Sequence, residues 1–262
     1  MLKALRYFLI INCIVLQACH HAPDNNTNKE SSNHSKANLG KAASYNMQLG
    51  LGYLKQGDRP RAKRKLLTAL EQEPNSPDVN AAMAYFFEQT KELDDAKKYY
   101  SKAVSLSGNS GAQLNNYGTF LCRQGDYKNA ETYFLKAVKD QQYIHTSGAY
   151  ENAGLCALAI PDDEKAKKYF TNALNQDPSR KESLYELIKL ESKAGHDLAA
   201  FELLQKHPDL VLNDRIFLSY AKNIALKAGK NDIAAEYDHN FRKMQPSTDN
   251  SGAKDEYNSH NG

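Results

Sequence analysis

Small and bulky apolar residues recur along the chain with a period of 34 residues. The pattern predicts two helices per period, a first helix (A) and a second helix (B), that pack closely where small residues face each other. The eighth position holds Gly50, Ala84, Gly118 and Gly154, and the twentieth holds Ala62, Ala96, Ala130, Ala166, Ala200 and Ala234. Bulky residues that would fill the space between units follow at the twenty-fourth position: Leu66, Tyr100, Phe134, Phe170 and Leu204.

The period and these residue types resemble the tetratricopeptide repeat (TPR), a helix–turn–helix unit. The predicted turn carries glycine, the residue preferred just after a helix C-terminus, at Gly57, Gly125, Gly195 and Gly229. We predict an all-α fold, a TPR superhelix of six units at 43–76, 77–110, 111–144, 147–180, 181–214 and 215–248. Lys222 and Asp238 replace apolar or small residues in the sixth unit, so we expect that unit to act partly as a polar cap.

The N-terminus has the pattern of an export signal. Basic residues precede an apolar run at 7–16, which is too short to span a bilayer because a spanning helix needs about 20 residues. The stretch "LQAC" at 16–19 resembles the bacterial lipobox, which implies a signal peptide at 1–18 and acylation of Cys19. The alternative is an ordinary signal peptide that ends near a cysteine by chance. Because His20 follows Cys19, where an Asp would retain a bacterial lipoprotein in the inner membrane, the resemblance implies export to the outer membrane.

Two polar segments flank the repeats. Residues 19–42 and 249–262 contain few apolar side chains and cannot bury a core, so we predict a disordered tether and a disordered tail.

Composition and motifs do not indicate an enzyme or a nucleic-acid-binding protein. The net charge is only +3, and the one basic run, "RPRAKRK" at 59–65, is expected to spread around a solvated helix. The sequence has no HExxH, Walker A or GxSxG motif, and its eight His residues show no metal-ligand spacing. We therefore predict no catalytic site, metal, cofactor, small-molecule substrate or nucleic-acid partner.

Two cysteines remain in the repeats after the predicted signal peptide and lipidation site. Cys122 and Cys156 fall near the ends of the A helices of units three and four, which should pack side by side. In an exported protein this placement predicts a disulfide, and two separate buried thiols are the alternative.

A TPR superhelix binds partner segments along the concave surface that its A helices line. We expect the second, fifth, ninth and twelfth positions of each unit to face this surface. The residues predicted to contact a partner are Tyr85, Asn115, Thr119, Glu151, Leu155 and Tyr185. Units three and four are expected to form the centre, because a disulfide between them would keep the groove rigid and lower the entropic cost of binding.

The blocks "NNYGTFLC" and "ENAGLC", the cysteine pair and the lipobox together resemble the type IV pilus biogenesis lipoproteins of the PilW/PilF kind. This resemblance implies a pilotin that binds the pilus secretin subunit and helps it to reach the outer membrane and to assemble. It also implies a location at the inner leaflet of the outer membrane, facing the periplasm.

Two other functions remain open at this point. One is a generic periplasmic TPR scaffold for envelope assembly, and the other is a TPR-bearing envelope hydrolase. A secretin gene next to this one would favour the pilotin over the scaffold, and activity on peptidoglycan would favour the hydrolase.

Overall fold

The computed structural model describes residues 27–160 and 162–244, and all regular secondary structure in these residues is helical. The predicted all-α fold is confirmed. The helices of this part of the chain are α1 (Thr27–Lys55), α2 (Arg59–Gln72), α3 (Pro77–Thr90), α4 (Leu93–Leu106), α5 (Gly111–Arg123), α6 (Tyr127–Ala137), α7 (Thr146–Ala157), α8 (Asp163–Gln176), α9 (Lys181–Lys193), α10 (Asp197–Lys206), α11 (Pro208–Leu212), α12 (Arg215–Lys227) and α13 (Asn231–Lys243).

The helices pack in consecutive pairs, which correspond to helices A and B of the repeat. The pairs are α1/α2, α3/α4, α5/α6, α7/α8, α9/α10 and α12/α13. The turn of the third pair shows how the sequence reverses the chain. Gly125 takes a left-handed backbone conformation (φ +81°) that a residue without a Cβ adopts readily, and the Asp126 side chain then accepts a hydrogen bond from the backbone N–H of Asn129.

The small residues of the repeat lie where the two helices of one unit cross. A Cβ atom added to Gly118 would lie 2.9 Å from Cδ1 of Phe134 and 3.2 Å from the carbonyl oxygen of Ala130. Phe134 is buried against this glycine. The close approach of helices A and B therefore depends on the small residue that the repeat pattern singles out.

The first helix is longer than the sequence indicates. The prediction of a disordered tether over 19–42 is wrong for 27–42, because α1 begins at Thr27 and runs without interruption to Lys55. The segment contains no proline, and adding residues to an existing helix costs far less than nucleating one. The first helix of unit one therefore extends toward the N-terminus through polar residues.

The fifth unit contains an additional short helix. Pro208 cannot donate a backbone hydrogen bond and disfavours the helical conformation of the residue before it, so α10 ends at Lys206 and Pro208 begins α11. In the sixth unit, Lys222 and Asp238 form an ion pair with each other, with 2.8 Å between Nζ and Oδ1.

Several predictions concern residues outside the described part of the chain. These are the signal peptide at 1–18, the acylation of Cys19, the tether at 19–26 and the tail at 249–262. Among the described residues, no helix combines the length and the apolar character that a bilayer-spanning segment needs.

Candidate functional site

The A helices of the first three units form one side of a groove with a volume of about 1060 Å³. Helices α1, α3 and α5 supply almost all of its lining, and α4 and α7 supply one residue each. The lining residues are Met47, Leu51, Leu54, Lys55, Asp78, Ala81, Ala82, Tyr85, Gln89, Tyr100, Gln113, Asn115, Asn116, Thr119, Arg123 and Asn152.

One end of the groove is apolar. Met47, Leu51 and Leu54 project from α1 at helical spacing and are each half-buried. Tyr85 on α3 is 41% exposed and offers an aromatic ring with a hydroxyl group. A side chain that enters here could bury apolar surface against α1 and keep a polar contact with the tyrosine.

The other end is lined by amide and hydroxyl side chains that connect neighbouring A helices. Asn152 on α7 donates through Nδ2 to Oδ1 of Asn115 on α5 at 3.0 Å and to Oγ1 of Thr119 at 3.5 Å. Gln113 on α5 donates to Oδ1 of Asp78 on α3 at 2.7 Å. This amide ladder fixes the spacing of α3, α5 and α7, and its donors and acceptors are of the type that pairs with peptide main chain.

A buried ion pair holds the second and third units together beside the groove. The Glu88 side chain is 5% exposed, and its two oxygens accept from Nε and NH2 of Arg123 at 2.5 and 2.8 Å. Tyr100 donates its hydroxyl proton to the same carboxylate at 3.0 Å. Burial, and after it the negative charge of Glu88, raises the pKa of Tyr100 well above its usual range.

The third and fourth units are joined covalently. Cys122 and Cys156 form a disulfide between α5 and α7, with their Cα atoms 5.8 Å apart, within the range that disulfides span. The bridge joins α5 to α7, the same two helices that Asn152 connects. Both contacts therefore hold these two helices together.

Known proteins share this architecture. Residues 47–111 match the family model of the tetratricopeptide repeat. The type IV pilus assembly protein PilF of Pseudomonas aeruginosa is 37% identical over 144 residues, which are 55% of this chain and 57% of PilF. The chain thus matches somewhat more than half of that relative's length.

Solved structures extend the likeness over most of the chain. The structure of P. aeruginosa PilF superposes with a TM-score of 0.64 at 30% identity, over 80% of this chain and 95% of that one. The chain belongs to the TPR proteins of type IV pilus biogenesis. The crystal structure of PilW, described as a widely conserved type IV pilus biogenesis factor, superposes with a TM-score of 0.61 at 25% identity, over 79% of this chain and 95% of that one.

In this pilus-biogenesis protein, three of the six residues predicted to contact a partner line the groove: Tyr85, Asn115 and Thr119. The other three lie elsewhere. This groove is centred on units one to three, whereas units three and four are the predicted centre of partner binding. Binding through any of the six residues stays a prediction.

Glu151 belongs to a joint between the fourth and fifth units. Its carboxylate accepts from NH2 of Arg180 at 2.8 Å, from the hydroxyl of Ser183 at 2.7 Å and from the backbone N–H of Ser183 at 3.2 Å. The repeat position places Glu151 on the A-helix face, but its long side chain reaches the next unit. These contacts stabilise the packing of the fourth unit on the fifth.

Leu155 and Tyr185 lie away from the main groove. Leu155 is 39% exposed on α7 and does not line the groove. Tyr185 packs edge-on against Phe217 and lies 5.4 Å from the ring of Tyr220, at a second cavity of about 390 Å³ on units five and six.

The apolar wall of the groove went unnoticed in the sequence, although its signal is present. Met47, Leu51 and Leu54 occupy the fifth, ninth and twelfth positions of the first unit, the same positions that identify Tyr85 and Asn115 in the next two. Applying the repeat positions to unit one would have found them. Within the described residues, no three His, Cys, Asp or Glu side chains gather as a metal site would require.

Proposed function

We propose that this protein is an outer-membrane lipoprotein, a pilotin, whose groove binds a segment of the type IV pilus secretin subunit and promotes its localisation and assembly. The observation that carries the proposal is the groove across units one to three, in a chain that belongs to the pilus-biogenesis TPR proteins. Acylation of Cys19 would place the groove on the periplasmic side of the outer membrane.

The lining of the groove suits a peptide segment. Its volume of about 1060 Å³ is at the upper limit of small-molecule pockets. The α1 wall offers space for apolar side chains, and the amide ladder offers partners for the backbone or polar side chains that follow. A segment with apolar residues at one end and polar residues at the other matches this order.

The groove is also held rigid before a partner arrives. The Glu88–Arg123 ion pair fixes α3 to α5, and the Cys122–Cys156 disulfide fixes α5 to α7. A preformed groove loses less conformational entropy on binding than a mobile one, so more of the contact energy appears as affinity.

Capture of the secretin subunit from envelope extracts tests this proposal. Leu51→Ala removes a groove side chain of α1, and Tyr85→Ala removes one of α3. We expect each variant to weaken capture by roughly tenfold or more, as truncation of hot-spot residues does. Leu198→Ala is the matched control, because Leu198 is 60% exposed on α10, away from the groove. The proposal is wrong if both groove variants capture secretin as well as the wild type.

The lipid anchor is tested separately. Cys19→Ser should move the protein out of the outer-membrane fraction or leave an uncleaved precursor. Recovery of the variant in that fraction at the mature size would contradict acylation. If the wild type captures other envelope-assembly proteins and no secretin, a generic periplasmic scaffold is the better assignment.

A further inference from the structure

The first unit presents an apolar face where the other units have a neighbour. Tyr45, Leu49 and Tyr53 follow one another along α1 at a spacing of four residues, and Tyr45 is 65% exposed. The corresponding residues of the second unit include Val79, 2% exposed, and Met83, fully buried. In the second unit this face packs against the preceding helix pair, whereas in the first unit no other helix of the described residues covers it and Leu49 and Tyr53 are half-buried.

Basic side chains border this open face. Helix α2 carries five basic residues and a single acidic one, Glu71. The Arg61 guanidinium lies 4.8 Å from the centre of the Tyr53 ring, and Lys65 Nζ donates to Oδ1 of Asn46 at 3.2 Å. We call the open stripe of α1 and the two basic residues beside it, Arg61 and Lys65, together the N-terminal face. Lys63 and Arg64 lie beside Leu67 and Glu71 on another part of α2.

The two basic positions beside the stripe differ between the first and the second unit. At the same repeat positions in α4, Asp95 replaces Arg61, and Tyr99 replaces Lys65. The basic run at 59–65 spreads around the solvated side of α2, as its helical spacing predicts, and of its members Arg61 and Lys65 contact α1. Ala62 and Leu66 are buried, and Lys63 and Arg64 are exposed beside Leu67, which is 40% exposed.

We propose that the N-terminal face docks on the surface of an anionic phospholipid bilayer. Tyrosine rings and leucines can enter the headgroup region, while the lysine and arginine head groups remain beside the phosphates. A bilayer covers the apolar stripe and neutralises the cations at the same time. The face also belongs to the unit that lies nearest in sequence to Cys19, so an acyl anchor there would bring it to the membrane.

This docking is independent of what the groove binds. The stripe residues Tyr45, Leu49 and Tyr53 do not line the groove, which opens on the other side of α1 at Met47 and Leu51. An array held by this face of its first unit would leave the groove free to meet a partner.

Fluorescence of the full chain incorporated into vesicles tests the proposal. The protein has no tryptophan, so Tyr45→Trp creates a single reporter on the N-terminal face, and Leu198→Trp creates a control reporter of similar exposure on α10. In phosphatidylglycerol vesicles that contain brominated lipid, we expect a blue shift and quenching for Tyr45→Trp only. In phosphatidylcholine vesicles, we expect neither.

Charge reversal tests the role of the basic residues. Each basic residue near an anionic surface is worth about a fivefold preference, so Arg61→Glu with Lys65→Glu should lower the docked-to-free ratio by about 25-fold or more. Lys97→Glu with Lys98→Glu, which makes the same charge change on the second unit, is the control and should leave quenching unchanged.

Three results would overturn the proposal. The first is an unquenched Tyr45→Trp reporter in phosphatidylglycerol vesicles, and the second is equal quenching in phosphatidylcholine. The third is binding of the face to a polyglutamate peptide or to a second copy of this chain, with no response to vesicles. Circular dichroism would verify that each variant keeps the helicity of the wild type.

Discussion

Replacement of Arg123 by methionine would leave a carboxylate buried without its ion-pair partner. Glu88 is 5% exposed and would keep only the hydroxyl of Tyr100 as a side-chain partner. Breaking a buried pair typically costs 3–5 kcal/mol, but the Arg123 side chain is 46% exposed, so water and solvent screening reduce the loss. We therefore expect Arg123→Met to lower the free energy of unfolding by about 2–3 kcal/mol.

Urea denaturation followed by circular dichroism would measure this loss. Arg61→Met is the matched control, because it removes the same group from an ion pair with Asp58 whose side chains are 55% and 24% exposed. Because solvent screens such a surface pair, we expect Arg61→Met to cost far less stability than Arg123→Met. If the unpaired charge causes the loss, Glu88→Gln in the Arg123→Met background should recover about 1–2 kcal/mol, because a neutral amide costs less to bury than a charge. Equal costs for the two arginine variants, or no recovery by the amide, would refute the reasoning.

Three further predictions concern stability. The Cys122–Cys156 bridge closes a loop of 34 residues, so its reduction should lower the free energy of unfolding by about 3–4 kcal/mol, and thiol labelling of the unreduced, denatured protein should find neither cysteine free. Gly154→Ala would place a Cβ atom 2.6 Å from the buried ring of Phe170, so it should destabilise the fold by about 1–3 kcal/mol and lower the melting temperature. The control Gly52→Ala meets no atom within 4 Å, and it should raise the melting temperature because alanine favours the helix over glycine. The pKa of Tyr100 is higher in the folded protein than in the unfolded chain, where it is about 10. The neutral Tyr100 hydroxyl therefore contributes its full stability below pH 10, and this contribution is lost as the pH rises further. Tyr100→Phe should accordingly lose less stability between pH 10 and 12 than the wild type.

The repeat pattern predicts the parts of the fold that depend on residue size and spacing. Gly118 and Phe134 meet as the eighth and twenty-fourth positions imply, and Gly125 reverses the chain where the pattern places a turn. These features follow from the sequence because a missing Cβ or a positive φ restricts which residue can occupy the position.

The contacts of long polar side chains could not be predicted in the same way. Period and helical face place Glu88 and Glu151 in the groove row, but each carboxylate reaches an arginine that lies outside that row, Arg123 and Arg180 respectively. A flexible side chain has several partners within reach. Which of them it contacts depends on which groups are buried together once the repeats have folded. The extension of α1 to Thr27 was missed for a different reason, because polar composition alone predicts a tether and does not account for propagation from an existing helix.

Site-specific photo-crosslinking tests the central claim most directly. A benzophenone amino acid at Tyr85, on the groove wall, would be compared with the same amino acid at Leu198, outside the groove, in cells that assemble pili. We predict that irradiation links position 85 to the secretin subunit and leaves position 198 without that adduct. An adduct from position 198 and none from position 85 would contradict the assignment of the groove as the secretin-binding surface.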